Sequence, residues 1–149
     1  MKKEIPNPYR DKRCFYCGSK NPEGLKLHFY RDDETEEVST EYFPAQHFIG
    51  QGNILHGGIQ LGLLDEIMGW TSYVYTGEMA VTSDFNAKFI MPVYLGKTVK
   101  VFCKVISRED LKVHMHAALK NDEGLVCTTA TGVYHILSPD KYQALINGK

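Results

Sequence analysis

Apolar residues recur along this chain with two different periods, and the change of period marks out the elements. Leu25, Leu27 and Phe29 alternate with Lys26, His28 and Tyr30, and a second alternating run covers Val38 to Phe43. Alternation is the signature of a strand with one face buried. The charged cluster Arg31 to Glu37 between the runs reads as a turn, so the pair predicts a hairpin. The period then changes. Ile59, Leu63, Ile67, Trp70 and Val74 recur at steps of four and three, which aligns one face of a helix, and the stretch Ile59 to Tyr75, stopped near Gly77, is the one long helix candidate. Four further runs of strand character follow: Ala80 to Ile90, Thr98 to Arg108, Lys112 to Lys120 and Leu125 to Leu137. Their short connections favour antiparallel neighbours. Ser138-Pro139 supplies an N-cap followed by proline, predicting a terminal helical turn or two over Asp140 to Ile146. The order is two strands, a long helix and four strands, which predicts an α+β fold with one helix wrapped by an antiparallel sheet of about five to six strands.

Size and composition change this picture in a few respects. The length of 149 residues suits one domain, read as an irregular arm over 1–24, rich in Pro, Gly and charge, a core over 25–138 and a short helical tail over 139–149. The 17 basic and 18 acidic residues nearly cancel, and no basic stripe could track phosphates, so nucleic acid is not an expected partner. No apolar run approaches the ~20 residues that cross a bilayer, so no membrane role is expected. The polar start, Met1 to Arg13, is unlike a signal peptide; the four cysteines are therefore read as reduced thiols and the location as cytoplasmic.

Chemistry concentrates on the helix. Gly58, Gly62, Asp65 and Gly69 fall at steps of four, three and four and so share a face. Each interior glycine costs roughly 1 kcal/mol relative to alanine, which implies that something approaches this face closely. Tight packing against the sheet, or against a second copy of the helix, would explain the glycines alone. Asp65 adds a carboxylate suited to act as general base or nucleophile. Glu66 lies about 100° round the helix and reads as a solvated or paired charge. At the helix start, His56-Gly57-Gly58 leaves first-turn amides without internal partners, a ready site for a developing oxyanion. Nine residues of helix put Asp65 about 13 Å along the axis from His56. One chain can hardly bring both to one carbonyl, so joint action requires the helix start of one chain to face Asp65 of another, in a homodimer.

The segment His56-Gly57-Gly58-Ile59-Gln60-Leu61-Gly62-Leu63-Leu64-Asp65-Glu66 resembles the helix motif of hotdog-fold thioesterases of the phenylacetate-degradation type. The arm residues Cys14-Phe15-Tyr16-Cys17-Gly18 and Asn21-Pro22-Glu23-Gly24-Leu25 resemble the N-terminal segment of one branch of that family, and Thr82-Ser83-Asp84-Phe85-Asn86 with Phe89-Ile90-Met91-Pro92-Val93 and Gly96 resembles its strand after the helix. The resemblance implies a hotdog fold, a dimer or dimer of dimers, and hydrolysis of an acyl-CoA or related thioester without a cofactor. Asp65 would act as base or nucleophile, and the Gly57 or Gly58 amide would polarise the carbonyl from across the interface. His56 would orient that loop, and Thr82 would help to position water. Gly50 stands where the family often has a polar residue, which turns attention to Gln51 and Asn53; these two and Ser83 are the expected substrate contacts. Phe48, Ile49, Ile54, Trp70 and Tyr73 are candidates for an acyl slot or for ordinary core.

Cys14-x-x-Cys17 has the spacing of half a zinc knuckle, but Cys103 and Cys127 fall on separate strands, so no metal is expected. A redox role fits less well, because the pair does not open a helix after a strand. An alternative function on the same fold is a non-catalytic module that binds acyl-CoA; Asp65 favours hydrolysis. Hydration or dehydration of an acyl thioester would call for a different His and Asp pairing.

Overall fold

A central helix organises the molecule, and the rest of the chain is arranged to cover it. The computed structural model describes residues 1–9 and 11–148; Arg10 of the expected arm and Lys149 of the expected tail lie outside the described residues. Helix α1, Gly57–Thr76, begins where the His56 ring accepts a hydrogen bond from the Gly58 amide. It ends at Gly77, whose φ of 74° is left-handed and whose amide bonds back to Tyr73. Leu63, Leu64, Ile67 and Met68 are fully buried and Trp70 nearly so, while Gln60, Thr71 and Ser72 are buried too. The buried surface therefore extends well beyond the single apolar stripe, as it must for a helix held inside a curved sheet.

Among the described residues the sheet has seven antiparallel strands: β1 (Lys2–Glu4), β2 (Tyr30–Asp32), β3 (Val38–Tyr42), β4 (Ala80–Phe89), β5 (Val99–Glu109), β6 (Lys112–Lys120) and β7 (Val126–Ile136), in the spatial order β1-β2-β3-β5-β6-β7-β4. This is the expected α+β hotdog architecture. Alternate residues of the long strands, including Val101 and Cys103 on β5, Val113, Met115, Ala117 and Leu119 on β6, and Ala130 and Tyr134 on β7, point inward against α1. Each fully buried Leu, Ile or Met contributes on the order of 1.5–3 kcal/mol. Gly132 on β7 lets the helix come close, since a Cβ there would lie 2.5 Å from Met68 Sδ. The short helix α2, Pro139–Ile146, starts at Ser138, whose hydroxyl accepts from the Lys141 amide. No helix among the described residues is long and apolar enough to cross a membrane.

Two expectations change near the N-terminus. The sheet exceeds five to six strands because β1 arises within the arm, where three exposed residues carry no alternation to read. The predicted first hairpin strand, Leu25 to Tyr30, is replaced by the short β2. Lys26 has a φ of 53°, which interrupts extended backbone, and the amides of Leu25 and Leu27 bond to Phe15 and Tyr16 of the arm. Leu27 and Phe29 are buried as the alternation implies, but this segment is tied to the arm rather than running as a ladder beside β3.

The arm also explains the glycine face. A Cβ on Gly62 would meet the Tyr16 hydroxyl at 1.6 Å, and one on Gly69 would lie 3.5 Å from the Tyr9 hydroxyl. Arm tyrosines are thus among the groups that approach the helix. Gly62→Ala is expected to expel the Tyr16 ring and release the arm while keeping the helical circular dichroism, because alanine itself favours helix. Faster tryptic cleavage at Lys12, Arg13 or Lys20 would report the release; an unchanged rate would mean that this contact does not hold the arm.

Candidate active site

Asp65 lies halfway along α1, half-buried, with its carboxylate facing the seam between β4 and β7. Its Oδ1 accepts hydrogen bonds from Thr82 Oγ1 at 2.8 Å and from the Tyr134 hydroxyl at 2.7 Å. The same tyrosine hydroxyl also bonds to the Asp65 carbonyl oxygen. Burial, and then the Asp65 charge, push the Tyr134 phenol far above its ordinary pKa, so it stays a donor. Two fixed hydroxyls on one oxygen orient the carboxylate and leave Oδ2 without a protein donor among the described residues.

Thr82 and Tyr134 are register partners across β4 and β7, and the ladder slips between Thr82 and Asp84. A bulge at Ser83 follows, with its hydroxyl bonded to the Val133 carbonyl at 3.1 Å. The extra residue restores the inward phase, so Thr82, Phe85, Ala87 and Phe89 all lie opposite inward residues of β7. Ser83 therefore shapes the strand; its hydroxyl is spent on backbone.

The helix start is more selective than its sequence implies. His56 Nδ1 takes the Gly58 amide at 2.9 Å, and the Ile59 and Gln60 amides both bond to the His56 carbonyl. Gly57 keeps the first-turn amide that has no acceptor among the described residues. An accepting Nδ1 carries no proton, so the Nε2 of neutral His56 is the protonated nitrogen, on an exposed side chain. Deeper in, Gln60 is buried; it donates to the Leu55 carbonyl at 2.9 Å and accepts from Thr128 Oγ1 at 2.5 Å, which ties the entry loop to β7. The preceding loop folds back through bridges between Ile49 and Leu55 and between Ile54 and Tyr94. Gln51 and Asn53 are exposed in it, on either side of Gly52, whose φ is 56°. Asp65 and Gly57 are eight residues apart on one straight helix, about 12 Å along its axis. Thus Asp65, Thr82 and Tyr134 form one group, and His56, Gly57 and Gly58 form another.

Among the acyl-slot candidates, Trp70 is core, stacked on Phe29 with ring centres 4.5 Å apart. Ile49 is exposed, and Phe48, Ile54 and Tyr73 are half-buried.

Three features of the site were not legible as such. Tyr134 is one of several inward residues on β7, 69 positions from the acid it binds, and its alternation gives no hint of a polar partner. The pairing of Gln60 with Thr128 spans 68 positions. Glu66, read as a solvated or paired charge, is half-buried and paired: it accepts from Trp70 Nε1 at 3.3 Å and from Cys14 Sγ at 3.6 Å. Burial raises its pKa to about 7.

Comparison with known proteins adds a family and a fold. The model of the thioesterase superfamily matches residues 52–128, which include the helix start, Asp65 and Thr82. No curated protein matches by sequence. Among solved structures, a thioesterase superfamily protein superposes with a TM-score of 0.73 at 17% identity over 81% of this chain; the chain spans 62% of that protein's length. The E. coli PaaI protein from the phenylacetic acid degradation operon gives 0.65 at 17% identity, over 68% of this chain and 73% of that one. A Streptococcus mutans protein bound to acetyl CoA gives 0.64 at 19% identity, over 68% and 82%.

The hydroxyl pair on Asp65 contributes to stability as well as orientation. Tyr134→Phe removes a hydrogen bond to a charged group inside the fold and is expected to cost about 1.5–3 kcal/mol. Urea unfolding would show this as a lower midpoint at unchanged slope; an unchanged midpoint would mean that the bond does not stabilise the folded state.

Proposed function

The chain belongs to the thioesterase superfamily, and from that premise we propose that it hydrolyses an acyl-CoA, or a related acyl thioester, to the free acid and the thiol. The observation that carries the reading is Asp65, held by two hydroxyls on Oδ1 with Oδ2 free of protein donors among the described residues. Such a carboxylate can take a proton from water as it attacks the thioester carbon, or attack that carbon itself. In either course the C–S bond breaks and the sulfur leaves with the bonding pair and is protonated; when water attacks, its oxygen becomes that of the free acid, and when Asp65 attacks, the acyl group passes to the carboxylate as an anhydride that a water then cleaves to the free acid and the regenerated Asp65. The Gly57 amide serves the oxygen that becomes negative. Gly58, whose amide is engaged by His56, supports the turn, and His56 caps the helix. Thr82 positions the carboxylate. Gln51 and Asn53, exposed before the helix start, face incoming substrate. A binding role for CoA is supported by the Streptococcus mutans relative bound to acetyl CoA, and a cytoplasmic setting by four free cysteines.

A homodimer completes the site in this reading, because about 12 Å separates Gly57 from Asp65 along α1. Strand β4 is a sheet edge with open backbone groups, and Phe89, Ile90, Met91 and Tyr94 at its end are exposed. An edge of this kind pairs readily with a second copy. One chain would then supply Asp65, Thr82 and Tyr134, and the other the Gly57 amide.

Thiol release from short, medium, long and aryl acyl-CoAs tests the reaction. Asp65→Asn is expected to lower turnover by about 10²–10⁴-fold while acyl-CoA still binds. If no acyl-CoA is hydrolysed and one binds both proteins tightly, the chain is an acyl-CoA-binding module instead.

Complementation tests the shared site. Gly57→Pro removes the amide proton at the first helical position, where proline is well tolerated, and His56 already has the extended backbone that precedes proline, with φ −54° and ψ 133°. Co-refolding equal amounts of Asp65→Asn and Gly57→Pro chains should restore about a quarter of wild-type activity, since half of the dimers are mixed and each has one intact site. No recovery from mixed dimers would place both groups in one chain's site.

A further inference from the structure

The C-x-x-C pair of the arm does not enter the thioester reading, yet the fold brings it against the central helix. Cys14 and Cys17 meet Glu66, and the two sulfurs and a carboxylate oxygen all lie within 4.8 Å of one another. The turn that carries the thiols is tightly built. The Gly18 amide bonds to the Cys14 carbonyl at 2.8 Å, and the Cys17 amide points at Cys14 Sγ at 3.4 Å. A Cβ on Gly18 would lie 2.4 Å from both the Cys14 nitrogen and the Lys12 oxygen. A glycine after the second cysteine is thus a requirement of this loop.

From this we infer that Cys14, Cys17 and Glu66 form a zinc site that fastens the arm to α1, with a fourth position open to solvent. One ligand pair already stands at tetrahedral spacing, and all three atoms lie within 4.8 Å of one another. With Zn–S near 2.3 Å and Zn–O near 2.0 Å, neighbouring sulfur and oxygen ligands stand about 3.5 Å apart; Cys14 Sγ and Glu66 Oε1 are 3.6 Å apart. Two thiolates with one carboxylate favour zinc over magnesium or calcium. Among the described residues Glu66 has no Lys, Arg or His partner, and the nearby Arg13 is already paired with Asp11 at 2.7 Å. Trp70 Nε1 donates at 3.3 Å to the same Glu66 Oε1 that faces Cys14, an outer hydrogen bond of the kind that metal ligands commonly have. Access exists too: a groove of about 810 Å³ between the arm and α2 is lined by Cys14 and Glu66 together with Tyr9, Arg13 and Tyr142. Binding releases to solvent the protons that the two thiols and the Glu66 carboxyl carry, leaving Zn²⁺ with two thiolates and a carboxylate.

The ion would fix more than three side chains. Tyr16 lies between the two cysteines, and its hydroxyl rests on Gly62, one helical turn before Glu66. The site would therefore hold the arm over the helix face that also carries Asp65. This does not depend on the thioester reaction.

Cobalt serves as the spectroscopic probe. The full chain, reduced, metal-free and folded by circular dichroism, is titrated with Co²⁺ under nitrogen. About one ion per chain is expected, with the visible bands of a tetrahedral site and thiolate-to-cobalt charge transfer, displaced by Zn²⁺. Cys17→Ser and Glu66→Gln should each weaken binding at least about tenfold, as loss of one ligand requires. Zinc should also raise the wild-type Tm, which keeps the idea testable if a variant fails to fold. The site is refuted if the reduced wild type shows no charge-transfer band, or if Glu66→Gln binds as tightly as the wild type. It is equally refuted if two of the four thiols remain locked as a disulfide until reduced in protein isolated from zinc-rich medium, which would make the pair a redox couple.

Discussion

Two carboxylates sit side by side on a helix that is otherwise wrapped in apolar surface, and much of the molecule is arranged around that constraint. Taking a carboxylate out of water without partners costs several kcal/mol. Asp65 and Glu66 are adjacent and so lie about 100° apart round the helix, which means that no single element can satisfy both. The sheet deals with the first through Thr82 and Tyr134. The arm deals with the second through Cys14, with Trp70 of the helix itself as the other donor. The bulge at Ser83 and the docking of the arm belong to the same solution: one keeps both Thr82 and the later strand residues opposite inward positions of β7, and the other brings thiols across a gap of about fifty positions.

How much of this could be read from sequence follows from the range of each interaction. Helix α1 was legible because five apolar residues keep one period over many turns, and β6 because its alternation is uninterrupted. Strand β1 was not, since a three-residue strand exposed on both faces has no pattern. The segment from Leu25 to Phe29 shows a subtler limit. Its alternation correctly reports which side chains are buried, but burial does not specify the hydrogen-bonding neighbour, and Lys26 breaks the strand with a left-handed backbone. Periodicity reads environment; it does not read partners.

The site divides in the same way. Asp65 and His56-Gly57-Gly58 stood out because glycines and a carboxylate interrupt an apolar helix, a local conflict of the sort that accompanies function. Tyr134 did not stand out, because a tyrosine alternating inward on a strand looks like any core aromatic until the helix is placed opposite. The glycines themselves carried a mixed message. Gly62 is explained by the Tyr16 hydroxyl of this same chain, whereas Gly57 owes its interest to an amide that the His56 cap leaves free. Glycines of one helix thus serve two purposes that sequence alone merges.

The capping geometry also determines what the helix start can do. Had the His56 ring pointed away, the first turn would offer two neighbouring amides to a ligand, and an incoming oxygen could settle between them. With Nδ1 on the Gly58 amide, the ring and the helix form one rigid corner, and a single N–H at Gly57 is presented. A single donor gives less stabilisation than a pair, yet its direction is fixed before substrate arrives, and pre-set direction is what makes such a donor effective when charge develops. In the proposed reaction the histidine would act through the backbone it restrains. Its exposed Nε2–H remains available to whatever lies beyond the helix start.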